Sequence, residues 1–243
     1  MKIMIALIAL CSTAVLMSLN TLSKQTAPDA LEGAWLTNTN GSDFSLLFAD
    51  GYCMFTQYNL KQKKFIVTSG GPYTFKDGKL LVKVQFHSAN KSEVSKEQVF
   101  NCAIKKNELT TSIEGLEMKW LRVDAGEKNL AGNWRITHRK QGEAISEIPL
   151  RARRTLKLLT ATRFQWAAIN IETGEFSGTG GGKYEFKDGK YTETIEFFSR
   201  DSSRVGMALS FDGKLENESW IHSGKSSKGD PIYEIWGRLK ANE

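Results

Sequence analysis

The chain has 243 residues, a length that allows one large domain or two small ones. Its hydrophobic content of 40% and charged content of 25% are ordinary for a folded globular protein, which excludes a disordered chain. The net charge of +6 favours acidic partners but says nothing about the fold.

The N-terminus is typical of an export signal. Lys2 is followed by an apolar run of 17 residues, Ile3 to Leu19, and then by small and polar residues. We therefore expect residues 1–27 to be a signal peptide, the mature protein to have no membrane span, and its location to be periplasmic or secreted in a Gram-negative bacterium. A retained anchor is the alternative, since the run is at the short limit for a span. Leu10 before Cys11 argues against lipidation.

The rest of the chain contains one unit twice. The segment YTFKDGKLLVKVQFHS at 73–88 corresponds to YEFKDGKYTETIEFFS at 184–199, with a constant offset of 184 − 73 = 111. Each unit begins with Gly-x-Trp, at Trp35 and Trp134, and ends with Trp-x-Arg, at Arg122 and Arg238. The predicted domains are residues 31–124 and 130–240. An insert at 140–154 lengthens the second unit.

Both units are predicted to be all-β. The pairs Asp50-Gly51, Asp77-Gly78 and Asp188-Gly189 are hairpin signals, and Asp212-Gly213 is predicted to be the turn that matches Lys106-Asn107. Between the turns, apolar and polar residues alternate. We count eight strands in each unit, and a meander of eight strands removes its open edges by closing into an up-and-down antiparallel barrel.

The Gly-x-Trp motif on the first strand and the Arg on the last resemble those of the lipocalin-like, or calycin, superfamily. The resemblance implies that Trp35 with Arg122, and Trp134 with Arg238, close the two barrel bases through cation–π contacts. The whole mature chain resembles secreted tandem lipocalin-like families of unknown function from Bacteroidetes. The second lipocalin motif and the C-terminal helix are absent, so the ligands of those relatives do not carry over.

The two cysteines of the mature chain, Cys53 and Cys102, both lie in the first unit. Both are in phase with inward-facing residues of their strands. An exported chain can oxidise them to a disulfide, and two buried thiols are the equal alternative.

Two further motifs have simple interpretations. SGTGGGKY at 177–184 has neither the spacing nor the following helix of a phosphate-binding loop, so we expect a strand whose glycines allow it to bend. The cluster Arg151–Arg154 is either a site for an acidic partner or a charged strand edge that prevents aggregation, and we favour the latter. Nucleic acid is not an expected partner of an exported protein.

The second unit differs from the first on its predicted inner face. Glu193 replaces Val82 there, and a buried carboxylate must be paired, hydrated or ligand-facing. Trp166 replaces Phe55. The predicted ligand-binding residues are Glu193, Trp166, Tyr191, Trp220, His222 and Arg204. The alternative is a solid barrel in which Glu193 pairs with a residue such as Arg204.

The sequence therefore predicts an exported, non-catalytic binding protein whose second barrel holds a small amphipathic or anionic ligand and whose first barrel is more completely filled. No catalytic residues, cofactor or metal site are predicted. The alternatives are a protein-interaction module with filled barrels and, with less support, an enzyme of the calycin type.

Overall fold

The computed structural model describes residues 30–126, 129–226 and 229–240, so the predicted signal peptide lies outside the described residues. The first unit is built from nine strand segments. They are β1 (Gly33–Thr39), β2 (Ser42–Ala49), β3 (Tyr52–Asn59), β4 (Lys64–Lys76), β5 (Lys79–Lys83), β6 (Phe86–His87), β7 (Glu97–Lys105), β8 (Glu108–Ile113) and β9 (Leu116–Asp124).

The second unit repeats this order with one addition, β11. Its strands are β10 (Gly132–Gln141), β11 (Ala144–Glu147), β12 (Arg153–Leu159), β13 (Arg163–Asn170), β14 (Glu175–Lys187), β15 (Lys190–Phe198), β16 (Ala208–Glu216), β17 (Ser219–Lys225) and β18 (Pro231–Arg238). Short 3-10 turns at Lys91–Glu93 and Ser202–Arg204 occupy equivalent places in the two units.

Each unit is a closed eight-stranded antiparallel barrel, which confirms the predicted fold class. In the first barrel β5 and β6 are two parts of one strand beside β4, and the pairing of β1 with β9 closes the sheet. In the second barrel β10 pairs with β12 and β18, while β11 only extends the far end of β10 as a hairpin. The predicted insert is this hairpin and the return to β12.

One predicted turn is wrong. Asp212 and Gly213 lie within β16, and the turn that follows is at Asn217 and Glu218, which have positive φ angles of 48° and 60°. The sequence alignment of the turns was therefore out of phase, because Asn217-Glu218 is the pair that matches Lys106-Asn107 at the offset of 111 (217 − 106). Gly213 is needed within the strand because a Cβ there would lie 2.8 Å from the Phe186 ring.

The Trp and Arg of each unit are direct partners across the closing strand pair. Trp35 pairs with Arg122 and Trp134 with Arg238, and the guanidinium carbons lie 4.1 and 4.5 Å from the ring centroids. Gly132 has a φ of 152°, and a Cβ there would meet Arg238 at 1.8 Å. Gly132 thus leaves room for Arg238, whereas Gly33 leaves room for the backbone, since a Cβ there would meet the Asp124 carbonyl at 2.1 Å.

The two barrels share a buried interface. One apolar cluster contains residues of both units, including Leu47, Met54 and Phe86 of the first and Leu156 and Leu158 of the second. The apolar residues on both faces of β2 and β12 explain this, because one face fills the barrel and the other packs on the neighbouring barrel.

Polar residues complete the interface. Gln165 is fully buried, accepts a hydrogen bond from Thr56 at 2.8 Å and donates one to Thr68 at 2.9 Å. At the edge, Glu196 accepts from Tyr58 at 3.1 Å and from Arg163 at 2.5 Å. Paired in this way, the buried polar groups do not carry the cost of unsatisfied ones.

Within the three described ranges, no helix is both long enough and apolar enough to cross a membrane.

Candidate ligand-binding site in the second barrel

A buried ion pair occupies the interior of the second barrel. Glu193 lies on the inner face of β15 and accepts a short hydrogen bond from the ammonium group of Lys157 on β12. The two side chains are only 8% and 6% exposed. The inward phase predicted for Glu193 is therefore the phase seen in the structure, but its partner Lys157 was not identified from the sequence.

Aromatic rings surround the Lys157 ammonium. Its Nζ lies 4.8 Å from the ring centre of Tyr191, 5.3 Å from those of Phe164 and Trp220, and 5.7 Å from that of Trp236. Such contacts contribute about 0.5–2 kcal/mol each according to how far the cation is desolvated. The ring faces and Glu193 together compensate a buried positive charge.

A second charged pair lies beside the first. Glu234 of β18 accepts hydrogen bonds from Arg139 at 2.7 and 3.1 Å and from the Trp236 indole at 3.1 Å. The Nδ1 atom of His222 is 3.8 Å from Glu234, too far for a direct hydrogen bond. His222 is 4% exposed and neither of its ring nitrogens has a hydrogen-bond partner within the described part of the chain.

Burial and neighbouring charges shift the pKa values of His222, Glu234 and Tyr191. Burial lowers the pKa of His222, and the positive charge of Lys157 lowers it further. Burial raises the pKa of Glu234, but the interaction with His222 and the charge of Arg139 outweigh it, so the pKa of Glu234 is lowered overall. Burial and the neighbouring Glu193 charge raise the pKa of Tyr191 well above its ordinary value. At neutral pH the interior therefore holds a neutral His222 between charged pairs.

An open cavity of about 400 Å³ reaches this cluster. Glu193, Trp166 and His222 line it, together with Lys157 and Glu234. Tyr191 and Trp220 are fully buried and pack behind these residues, with their ring centres 4.9 Å apart. The volume lies within the range of about 300–1,000 Å³ that is usual for small-molecule sites.

Arg204 is the predicted site residue that the structure places elsewhere. It lies in the 3-10 turn between β15 and β16, where it pairs with Asp201 at 3.2 Å. The partner of Glu193 is Lys157, so the proposed pairing with Arg204 is wrong. The turn carries Arg204 off the strand, away from the inner face on which Glu193 lies.

The same interior positions are uncharged in the first barrel. Strand register makes Lys157, Glu193, His222 and Glu234 equivalent to Leu46, Val82, Thr111 and Met118. The first barrel has a smaller cavity of about 290 Å³, lined mainly by apolar side chains. The first barrel is therefore not solid, although its cavity is the smaller of the two.

The two cysteines belong to the first barrel's core. Cys53 and Cys102 are both buried and both present as free thiols. Burial raises the pKa of Cys53 to about 12 and that of Cys102 to about 11. Thiols of this kind behave as small apolar residues rather than as nucleophiles.

The arginine cluster of the insert lies at the mouth of the second barrel, where Arg151, Arg153 and Arg154 line a pocket next to the main cavity. Among the described residues, no group of three or more His, Cys, Asp or Glu side chains is arranged to hold a metal ion.

Comparison with known proteins adds information on the second barrel and the fold. Residues 129–243 match a family described as a domain of unknown function, DUF4488. A lipocalin-like protein from Bacteroides uniformis is 14% identical, with a TM-score of 0.32 over 46% of this chain and 100% of its own. An uncharacterized protein from Bacteroides eggerthii is 13% identical, with a TM-score of 0.32 over 45% of this chain and 99% of its own. No curated protein matches the chain significantly.

Proposed function

We propose that this protein is an exported, non-catalytic binding protein whose second barrel holds a small amphipathic or anionic ligand. The observation that carries the proposal is the exchange of four uncharged interior residues of the first barrel for Lys157, Glu193, His222 and Glu234 in the second. The apolar run at the N-terminus supports export.

The exchange supports ligand binding because it is not needed for the fold. The first barrel closes around Leu46 and Val82 at the positions of the buried ion pair. Replacing a buried ion pair by apolar residues is often neutral or stabilising, so the pair contributes little to holding a barrel together. Buried charges that do not help the fold are expected mainly at functional sites.

The chemistry of the cavity favours a ligand with both an apolar and a polar part. Trp166, Phe211 and Trp236 provide aromatic surface. Polar contacts come from Lys157, Glu234 and the ring nitrogens of His222, which have no hydrogen-bond partner among the described residues. An open cavity of this kind favours binding over the alternative of a filled interaction module.

A thermal-shift screen of small amphipathic and anionic metabolites tests the proposal. A ligand at about 100 times its Kd should add about 2.7 kcal/mol to the free energy of unfolding. The double variant Lys157→Leu/Glu193→Val, which copies the first barrel, should lose the shift. Phe100→Leu, which changes the cavity of the first barrel, should keep it and serves as the control.

Three outcomes would contradict the proposal. A ligand that stabilises the double variant as much as the native protein does not bind at the charged cluster. If Phe100→Leu abolishes the shift while the double variant keeps it, the first barrel is the ligand-binding barrel. Turnover of a stabilising compound during incubation, followed by mass spectrometry, would favour the enzyme alternative.

A further inference from the structure

The insert of the second unit forms one wall of a pocket of about 440 Å³ at the barrel mouth. We call this pocket the vestibule. Its lining and that of the main cavity have five residues in common, so the two are neighbours: Ile136, Arg139, Thr155, Trp166 and Arg200. Among the described residues, its lining contains no acidic side chain and six arginines, which are Arg135, Arg139, Arg151, Arg153, Arg154 and Arg200.

Backbone carbonyls position three of these arginines. Arg135 donates to Ile148 at 2.9 Å, Arg154 to Arg151 at 2.8 Å, and Arg200 to Ser177 at 2.7 Å. A carbonyl fixes the direction of a guanidinium but does not neutralise its charge. Arg139 forms an ion pair with Glu234 in addition.

The positive charges also act on one another. Burial lowers the pKa of the Arg154 guanidinium and the nearby charge of Arg135 lowers it further, while Tyr52 and the Glu172 carboxylate act in the opposite direction. Holding two like charges together costs free energy, and an anion bound between them removes that cost.

The glycine-rich segment of β14 makes room for the vestibule. Gly178 has a φ of 154°, and a Cβ at this position would lie 2.5 Å from Nε of Arg200. Arg200 can lie back across β14 towards Ser177 only because Gly178 has no side chain. The glycine-rich segment 177–184 thus contributes to the vestibule by leaving space for Arg200, and not by binding an anion through its backbone amides.

The first unit has no such pocket wall. Its strands β1 and β2 are joined by the short turn at Asn40 and Gly41, without an insert. The residues equivalent to Arg135, Arg153, Arg154 and Arg200 are Leu36, Ser42, Asp43 and Ala89. The second barrel thus has four arginines at one pocket where the first barrel has none at the equivalent positions. This difference indicates a site that is specific to the second barrel.

We propose that the vestibule binds a small molecule that carries two or more oxyanion groups, such as sulfate, phosphate or carboxylate. Guanidinium groups present a planar fork of donors that matches the two oxygens of an oxyanion. A pocket that is concave and of molecular size suits a small ligand better than a flat bilayer surface. The inference extends the proposed function, because an anion held here would lie at the entrance of the main cavity.

Calorimetric titration at constant ionic strength tests this with three probes: inorganic sulfate, pyrophosphate and citrate. Affinity should rise from sulfate to the probes with several oxyanion groups. Arg153→Ser/Arg154→Ser should weaken pyrophosphate binding at least tenfold. Lys76→Ser/Lys187→Ser removes the same charge from exposed hairpins and should leave the affinity within about twofold.

A second variant keeps the test decisive if the serine variant does not fold. Arg153→Lys/Arg154→Lys preserves the charge and removes the forked donors, so it should weaken pyrophosphate binding several-fold. Equal affinity of this variant and the native protein for all three probes would indicate general charge attraction and overturn the inference. Binding only to vesicles that contain anionic lipid, and to none of the probes, would overturn it in favour of a membrane surface.

The variant Lys157→Leu/Glu193→Val separates this inference from the proposed function. It should bind pyrophosphate as the native protein does, because the vestibule is intact. If it loses pyrophosphate binding, the anion occupies the barrel interior and the vestibule is not the site. If the metabolite screen fails while pyrophosphate binds through the arginines, the proposed function is wrong and the anion site remains.

Discussion

Lys157 and Glu193 face each other from β12 and β15 inside the second barrel, where each compensates the other's charge. In the first barrel Leu46 occupies the position of Lys157, and Val82 occupies the position of Glu193. The pair is thus an ionic substitute for an apolar contact at the same position in the same fold.

This relationship predicts a strong dependence between the two substitutions. Glu193→Val alone should lower the free energy of unfolding by about 3–5 kcal/mol, because it leaves the Lys157 charge buried without its partner. Lys157→Leu alone should have a comparable effect. The double variant should recover most of the loss. Urea denaturation of the four proteins measures the coupling, and additive losses would show that the two charges act independently.

The base of the second barrel gives another prediction. Trp134 is 1% exposed and lies under Arg238, and its indole donates to the Leu130 carbonyl at 2.9 Å. Trp134→Ala should cost about 3–5 kcal/mol, the usual range for a large aromatic residue removed from a core. Because the barrels share an apolar cluster, we expect the melting temperature of the whole chain to fall. A variant that melts like the native protein would contradict the closure role.

The cysteines should be unreactive in the folded protein. Both are buried, and the raised pKa values of about 12 for Cys53 and about 11 for Cys102 leave almost no thiolate at pH 8. Native protein should resist alkylation, and protein unfolded in urea should take up two equivalents. Intact mass spectrometry of the purified, unreduced protein decides the point, since a mass lower by about 2 Da would reveal a disulfide instead.

His222 should make the protein sensitive to mild acid. Its pKa is lowered in the folded state, so the unfolded chain binds the proton more readily. The contribution of His222 is complete above the unfolded pKa of about 6.5 and is lost as the pH falls through the lower folded value. His222→Gln should flatten the decline in the free energy of unfolding between pH 7.5 and pH 5. His138→Gln, on β10, removes an imidazole outside the cavity and serves as the matched variant for comparison.

Much of the fold could be predicted from the sequence, because the same motifs occur in both units and each supports the interpretation of the other. Alternation placed Glu193 on the inner face, and the paired Gly-x-Trp and Trp-x-Arg motifs predicted closure. Lys157 was missed although the offset of 111 that pairs Glu193 with Val82 also pairs Lys157 with Leu46 (157 − 46), so the sequence contained this signal too. Glu234 stands opposite Met118 in the aligned final strands, so the sequence did contain that signal.

The vestibule and the barrel interface were harder to predict. Arg135, Arg154 and Arg200 come from three separate parts of the chain, and only the closed barrel brings them to one pocket. Strand alternation defines which residues face inward, but not which outer face meets a neighbour. The continuous burial of residues 45–49 indicates two covered faces without identifying what covers the second.

Arg238 also joins the barrels, since its Nη1 donates both to the Ala131 carbonyl of its own barrel and to Asp50 of the first barrel, at 2.7 and 2.8 Å. Asp50 further accepts from the backbone amide of Asn133 at 2.9 Å. One hairpin turn of the first copy therefore completes the base of the second. The two repeats are therefore not independent, because the barrel with the apolar interior supports the base of the barrel with the charged interior, and a fragment that contains only the second barrel would lose that support.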